Sequence, residues 1–201
     1  MLSRQEALDL VNANLAKKNL VKHTLAVEAI MRAMAARFGE SEDLWGLAGL
    51  LHDLDYERTM NSPERHGHLT VEMIEGLDVP AEAKNAILAH AGHQARNSLM
   101  DKAICCIDPV TGLIVASALM HPSKSIAGID PDFVGKRFKE KRFAAGANRE
   151  AIAGCSELGL DFHEFLTVSI EAMSGISREI AGSITCIGRP STASMRVLRI
   201  S

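Results

Sequence analysis

The strongest constraint on this chain is a recurring signal for helix starts. Ser3 stands three residues ahead of Glu6, and Leu8, Val11 and Leu15 follow at helical spacing. This is a capping box, in which two side chains satisfy backbone N–H groups that a helix start leaves bare. Ser41 ahead of Glu42 and Asp43, Ser98 ahead of Asp101, and Asp161 ahead of Glu164 open further apolar segments in the same manner, the one from Ser98 being a long apolar helix that ends near His121-Pro122. The spacing also predicts helices from about Val21 to Phe38, stopping at Gly39, and from Pro80 to about His90. Ser62-Pro63 reads as an N-cap and first helical residue, with the helix running through Leu69, Met73 and Ile74 to Gly76. No stretch alternates apolar and polar residues long enough to demand a strand. Aromatic residues are only 4% of the chain, so aliphatic residues and methionine must fill the interior, which suits packed helices. The expected fold class is therefore all-α. At 201 residues one domain is expected, over 1–182. From Gly182 onward there is no acidic residue and no clear period, so 183–201 reads as a loose C-terminal tail, with a strand or partner-binding arm as the alternative.

Charge narrows the partners. A net charge of −3 gives no field that would favour a long polyanion, so no long nucleic acid is expected as the main partner. A small anionic substrate remains compatible. The four cysteines form no CxxC pair, and Cys105-Cys106 lies in an apolar run that reads as core. The apolar run from Cys105 to Met120 is interrupted by Asp108, Pro109 and Gly112, and reads as too short and too broken to span a bilayer. With no signal-like start, these features lead to an expectation of no membrane and a cytoplasmic location. A Met- and Leu-rich helix face would suit a homodimer, although a core face gives the same pattern.

The chemistry-bearing residues are His23, the pair His52-Asp53, and Asp108. Each lies in or at the end of an apolar helix, in Val-Lys-His-Thr-Leu, Leu-Leu-His-Asp-Leu and Cys-Cys-Ile-Asp-Pro. A carboxylate in such surroundings must be paired or bound to a cation. One divalent metal would account for all four residues. Two imidazoles and two carboxylates suit Mn, Fe, Co, Ni, Mg or Zn. Neighbouring His and Asp do not share one side of a helix, but they can converge on an ion where a helix ends and the chain turns.

The order His…His-Asp…Asp resembles the HD superfamily of metal-dependent phosphohydrolases, over roughly Leu20 to Leu119. The resemblance implies an all-α bundle with the metal at its centre and His23, His52, Asp53 and Asp108 as ligands. His66, in Glu-Arg-His-Gly-His, and His90, in Leu-Ala-His-Ala-Gly, stand where two-metal members of the superfamily bind a second ion. One or two divalent ions are thus implied, with Asp53 bridging them as the catalytic carboxylate. The run His52-Asp53-Leu54-Asp55-Tyr56 departs from the His-Asp-Ile-Gly-Lys of many relatives, so that lysine's phosphate contact is absent or replaced. Pro-Val-Thr-Gly-Leu-Ile-Val-Ala after Asp108 and the later Lys-Glu-Lys-Arg-Phe-Ala-Ala-Gly-Ala-Asn-Arg are similar to a small bacterial subfamily of HD hydrolases.

The resemblance implies hydrolysis of a nucleotide or other small phosphate ester by metal-activated water. A non-catalytic metal- or nucleotide-binding signalling module and a di-iron oxygenase of HD type are the alternatives. In the basic stretch from Lys136 to Arg149, the residues singled out for phosphate contact are Lys141, Arg142 and, standing apart from the charge run, Arg149. Most of that stretch would otherwise be a solvated helix face. Asp55 and Glu57 are read either as proton-handling groups or as solvated loop residues. His68 and His93 are turned partly away from the better-placed His66 and His90.

Overall fold

A computed structural model describes residues 1–176, and the tail 183–201 together with its boundary at 182 lies outside them. Among the described residues there are helices and no strands. The Ser3–Glu6 box starts α1 (Arg4–Asn14), with both of its reciprocal bonds present. The second helix, α2 (Lys18–Phe38), ends on Gly39 with φ 72°, a left-handed value that suits glycine. Ser41 caps α3 (Glu42–Leu51) by accepting from Leu44 N–H. A short α4 (Tyr56–Thr59) follows, then α5 (His68–Met73) and α6 (Ala81–His90). The second capping box, Ser98 with Asp101, starts α7 (Leu99–Met120). The chain ends, as far as it is described, with α8 (Pro131–Phe138), α9 (Arg149–Ala153) and α10 (Phe162–Gly175).

Two expectations need correction. The long apolar helix expected from Ser98 to near His121-Pro122 is present as α7, but Asp108, Pro109 and Gly112 do not leave its apolar run too short and too broken to span a bilayer, since the helix continues through all three for 22 residues. By length and composition it could cross a membrane, but in this fold it is the central helix. It packs against α2, α6, α8 and α9, with Ile104, Ile107, Leu113 and Ile114 fully buried. The second correction concerns the helix expected from Pro63 to Gly76. The chain makes only a 3-10 turn over Pro63–Arg65, breaks at His66-Gly67, and starts α5 at His68. Gly67 has φ 76°, and a Cβ there would meet the Ala91 side chain at 2.8 Å and the Ile87 carbonyl oxygen at 3.2 Å. The break brings this loop flat against the end of α6.

One apolar cluster runs from Ala7 in α1 to Met173 in α10. The methionines at helical spacing belong to it: Met31, Met34, Met100 and Met173 are all buried. The paired cysteines are core as well, since Cys105, Cys106 and Cys155 are free and buried. Glu28 of α2, only 2% exposed, was not anticipated. It accepts a two-pronged contact from Arg4 (2.6 and 3.0 Å) and a third from Arg32 (3.0 Å), which also reaches Asp43 at 2.8 Å. This chain of ion pairs fastens α1, α2 and α3 at one end.

Helix α3 approaches α2 tightly at Gly49. A Cβ on Gly49 would lie 3.1 Å from both the N and Cα of Glu28 and 3.0 Å from Cγ of Met31. Two of those atoms are backbone and cannot yield without moving a helix. In an exposed helix, Gly to Ala stabilises by about 1 kcal/mol. Gly49→Ala should do the reverse and cost about 1–3 kcal/mol, the usual cost of overpacking. Thermal unfolding followed by circular dichroism checks this, with a lowered Tm as the expected outcome.

Candidate metal centre

Each cluster residue is delivered by a local feature of the chain. His23 lies in the second turn of α2. His52 is the C-cap of α3, and the chain turns through Asp53, Leu54 and Asp55 before α4 begins. That turn lets the neighbouring His52 and Asp53 face one point. His66 follows the 3-10 turn at the Gly67 break, His90 is the last residue of α6, and Asp108 lies in the middle of α7.

The structure brings all six together, in two groups that share Asp53. In the first, His23 Nε2 lies 3.2 Å from His52 Nε2, 3.0 Å from Asp108 Oδ1 and 3.5 Å from Asp53 Oδ2. His52 Nε2 is 3.6 Å from the same Asp53 oxygen and 4.0 Å from Asp108 Oδ1. In the second, His66 Nε2 is 3.1 Å from His90 Nε2, and the two lie 3.4 and 3.7 Å from Asp53 Oδ1. Each oxygen of the Asp53 carboxylate therefore serves a different pair of histidines.

The opposite nitrogen of each ring explains the orientation. His52 Nδ1 donates to the Gly49 carbonyl at 2.7 Å and His90 Nδ1 to the Ile87 carbonyl at 2.6 Å. His66 Nδ1 donates to Asp55 Oδ1 at 2.8 Å. His23 Nδ1 lies 3.0 Å from Thr111 Oγ1, whose own hydrogen is directed to the Asp108 carbonyl at 2.8 Å. A carbonyl only accepts, so Nδ1 carries the hydrogen, and in the neutral ring Nε2 presents a lone pair. With all four rings neutral, four such lone pairs and two carboxylates point inward, close together and repelling one another. Divalent cations fit this donor set of imidazoles and carboxylates, and the Nδ1 partners are the support such ligands need. His23, His52, Asp53 and Asp108 would hold one ion, and His66, His90 and Asp53 a second.

The electrostatics agree with this. Burial pushes the His52 pKa down to about 4, against a smaller upward pull from Asp53, so its ring is neutral and ready to ligate. Burial also acts to raise the Asp53 carboxyl, but His52, His90 and His23 outweigh it and hold it below the usual carboxylate range. The Asp108 carboxyl likewise stays low, because its bond with His23 overcomes burial. For His23 and His66 burial acts downward, yet the bonds to Asp108 and to Asp55 lift both above the ordinary histidine value.

Residues outside the cluster divide differently. Asp55 is fully buried rather than solvated, and Glu57 accepts backbone N–H groups of Ala16 and Lys17 at 2.8 and 3.2 Å at the head of α2. His68 and His93 stack on each other, ring centroids 4.2 Å apart. Lys141 and Arg142 are exposed in the loop after α8. Arg149 has a different task from the phosphate contact that its isolation in sequence suggests. Its guanidinium donates to the carbonyls of Phe138, Phe143, Ala144 and Ala147, which commits its donors to holding a loop where Ala144 has φ 43°. No hydrogen bond or ion pair among the described residues joins these three cations to the cluster. Thr111 and Tyr56 escaped sequence reasoning. Thr111 carried a signal, since it follows Asp108 by one helical turn. The Tyr56 ring lies edge-on to His66, with centroids 5.8 Å apart.

Ion binding must displace the protons that His23 and His66 hold when no metal is present. Both values are raised, so these protons persist through the ordinary histidine range and leave only above it. Affinity for a divalent ion should therefore climb as pH rises past about 6.5 and fall steeply below it. Calorimetric titration with Mn(II) at several pH values, in buffers of different ionisation enthalpy, should show proton release that grows toward acid pH.

Comparison with known proteins agrees with this geometry. The HD domain family matches residues 20–121. Ribonuclease Y of a Sulfurovum species is 30% identical over 136 residues, covering 66% of this chain and 27% of that protein. Ribonuclease Y of a Nitratiruptor species is 29% identical over 136 residues, 66% of this chain and 26% of that protein. Ribonuclease Y of Campylobacter jejuni is 26% identical over 180 residues, 81% of this chain and 35% of that protein. The chain spans about a quarter to a third of the length of the curated relatives it matches. No solved structure matches it. The family match covers half of the chain, and its bounds enclose every residue of the histidine–aspartate cluster; the chain belongs to the HD domain family.

Proposed function

We propose that this chain is a metal-dependent phosphohydrolase that cleaves a nucleotide or other small phosphate ester at a two-ion centre. The observation that carries the reading is Asp53, whose two oxygens face separate histidine pairs, one pair completed by Asp108. Two ions held close together through one shared carboxylate would suit the two-metal form of in-line phosphoryl displacement. Ions bound there would supply a water acidified for attack and positive charge for the phosphoryl oxygens. The protein's own part is to fix the ligands through their Nδ1 bonds and to keep the centre in the buried end of the bundle. The partly exposed Asp108 and the Tyr56 ring beside His66 mark the side open to a substrate.

A second reading takes RNA as the substrate. It is favoured by the name Ribonuclease Y borne by the relatives, which counts against the expectation of no long nucleic acid. A phosphodiester would meet the same centre, so substrate size is what separates the two readings.

The test is a panel assay with Mn(II)-loaded protein on nucleoside monophosphates, cyclic nucleotides and an oligoribonucleotide, with Asp53→Ala beside it. The expected result is phosphate release or ester cleavage from one small substrate. Asp53→Ala should lower it by more than about 100-fold, the upper range for losing a mere supporting residue. Shortening of the oligoribonucleotide alone would select the second reading. Turnover that survives Asp53→Ala would reject both, and stabilisation by a nucleotide without turnover would point to a binding module.

A further inference from the structure

The two halves of the centre are supported unequally. His23, His52 and His90 direct Nδ1 at uncharged oxygens, a hydroxyl and two carbonyls. Within the cluster, His66 is the ring that directs Nδ1 at a carboxylate, Asp55. Its half also has fewer ligands, since His66 and His90 share only one oxygen of Asp53, while the other half adds Asp108.

Asp55 is held with unusual completeness. It is fully buried. Its Oδ2 accepts from the backbone N–H of Gly67 at 2.8 Å and of Thr70 at 3.0 Å. Its own N–H donates to Thr70 Oγ1 at 3.2 Å, and its carbonyl accepts from Thr59 Oγ1 at 3.1 Å. Among the described residues, the ion-pair partner it has is His66, not a lysine or arginine. A buried carboxylate is costly unless it is paired and hydrogen-bonded, and here the pairing falls to His66.

We propose that Asp55 is a positioning residue for the second ion: it locks His66 in the Nδ1–H form, so that Nε2 is free to ligate beside His90. The proposal rests on the two-ion reading above. A carboxylate behind a ligating imidazole fixes ring orientation and tautomer and strengthens the ligand. In this chain it compensates the half of the centre that lacks a second carboxylate.

Asp55→Asn tests the claim because it keeps the shape and reverses one bond. The amide oxygen must stay on the Gly67 and Thr70 N–H groups, which need an acceptor. The amide NH2 then faces His66 Nδ1, donor against donor. The ring escapes by moving its hydrogen to Nε2, where an ion would sit. Two measurements follow: Mn(II) titration by calorimetry, and the histidine tautomers of the metal-free protein from 15N NMR at a pH high enough to leave His66 neutral. Wild type should bind two ions per chain and show His66 as Nδ1–H. Asp55→Asn should bind the first ion as wild type does, bind the second about 10- to 100-fold more weakly, and show His66 as Nε2–H. Equal binding of both ions by Asp55→Asn, or an Nε2–H tautomer for His66 in wild type, would overturn the proposal. Wild type that takes up fewer than two ions would count against the two-ion reading itself, and the wild-type tautomer would still decide the role of Asp55. That spectrum also serves should the variant fail to fold.

Discussion

Four imidazole nitrogens and two carboxylates face one another inside the helical bundle, and much of the structure is arranged around that confrontation. With every ring neutral and its hydrogen on Nδ1, His23 Nε2 against His52 Nε2 at 3.2 Å and His66 Nε2 against His90 Nε2 at 3.1 Å are unfavourable contacts, which a proton or a metal ion relieves. They persist because each ring is pulled from behind by a bond at Nδ1, and because the elements that carry the rings are packed in place. A divalent ion held at the centre would turn that repulsion into attraction, and the fold brings its candidate ligands together in advance.

Packing supplies the rigidity. His52 hangs on the Gly49 carbonyl, and Gly49 is also where α3 meets the backbone of α2, the helix that carries His23. One glycine thus sets the distance between two ligands and anchors one of them. The other half repeats the device: Gly67 lies against Ala91 and the Ile87 carbonyl, and that same carbonyl orients His90. Close backbone contact at two glycines positions ligands that come from separate helices and loops.

Much of this was legible in the sequence, for physical reasons. Capping boxes at Ser3 and Ser98 depend on side chains next to their targets, so local pattern was enough. His23, His52, Asp53 and Asp108 stood out because each is polar in an apolar helix. The break at Gly67 was hidden, because Pro63 and the apolar spacing beyond it are what a continuous helix would show. The extent of α7 was legible from its Ser98 cap and its stop at His121-Pro122, while the proline and glycine inside it made its apolar run look more broken than it is. Arg149 looked like a phosphate ligand since the carbonyls it satisfies belong to a loop whose path the sequence does not reveal. Asp55 was ambiguous because burial, not identity, separates a solvated acid from a structural one.

Crystals grown with Mn(II) and measured at the manganese absorption edge test the central claim most directly. Two anomalous peaks about 3.5–4 Å apart, with Asp53 between them, His23, His52 and Asp108 around one and His66 and His90 around the other, are predicted. Crystals with no peak among these side chains, or with Asp108 turned away from His23 and His52, would contradict the account.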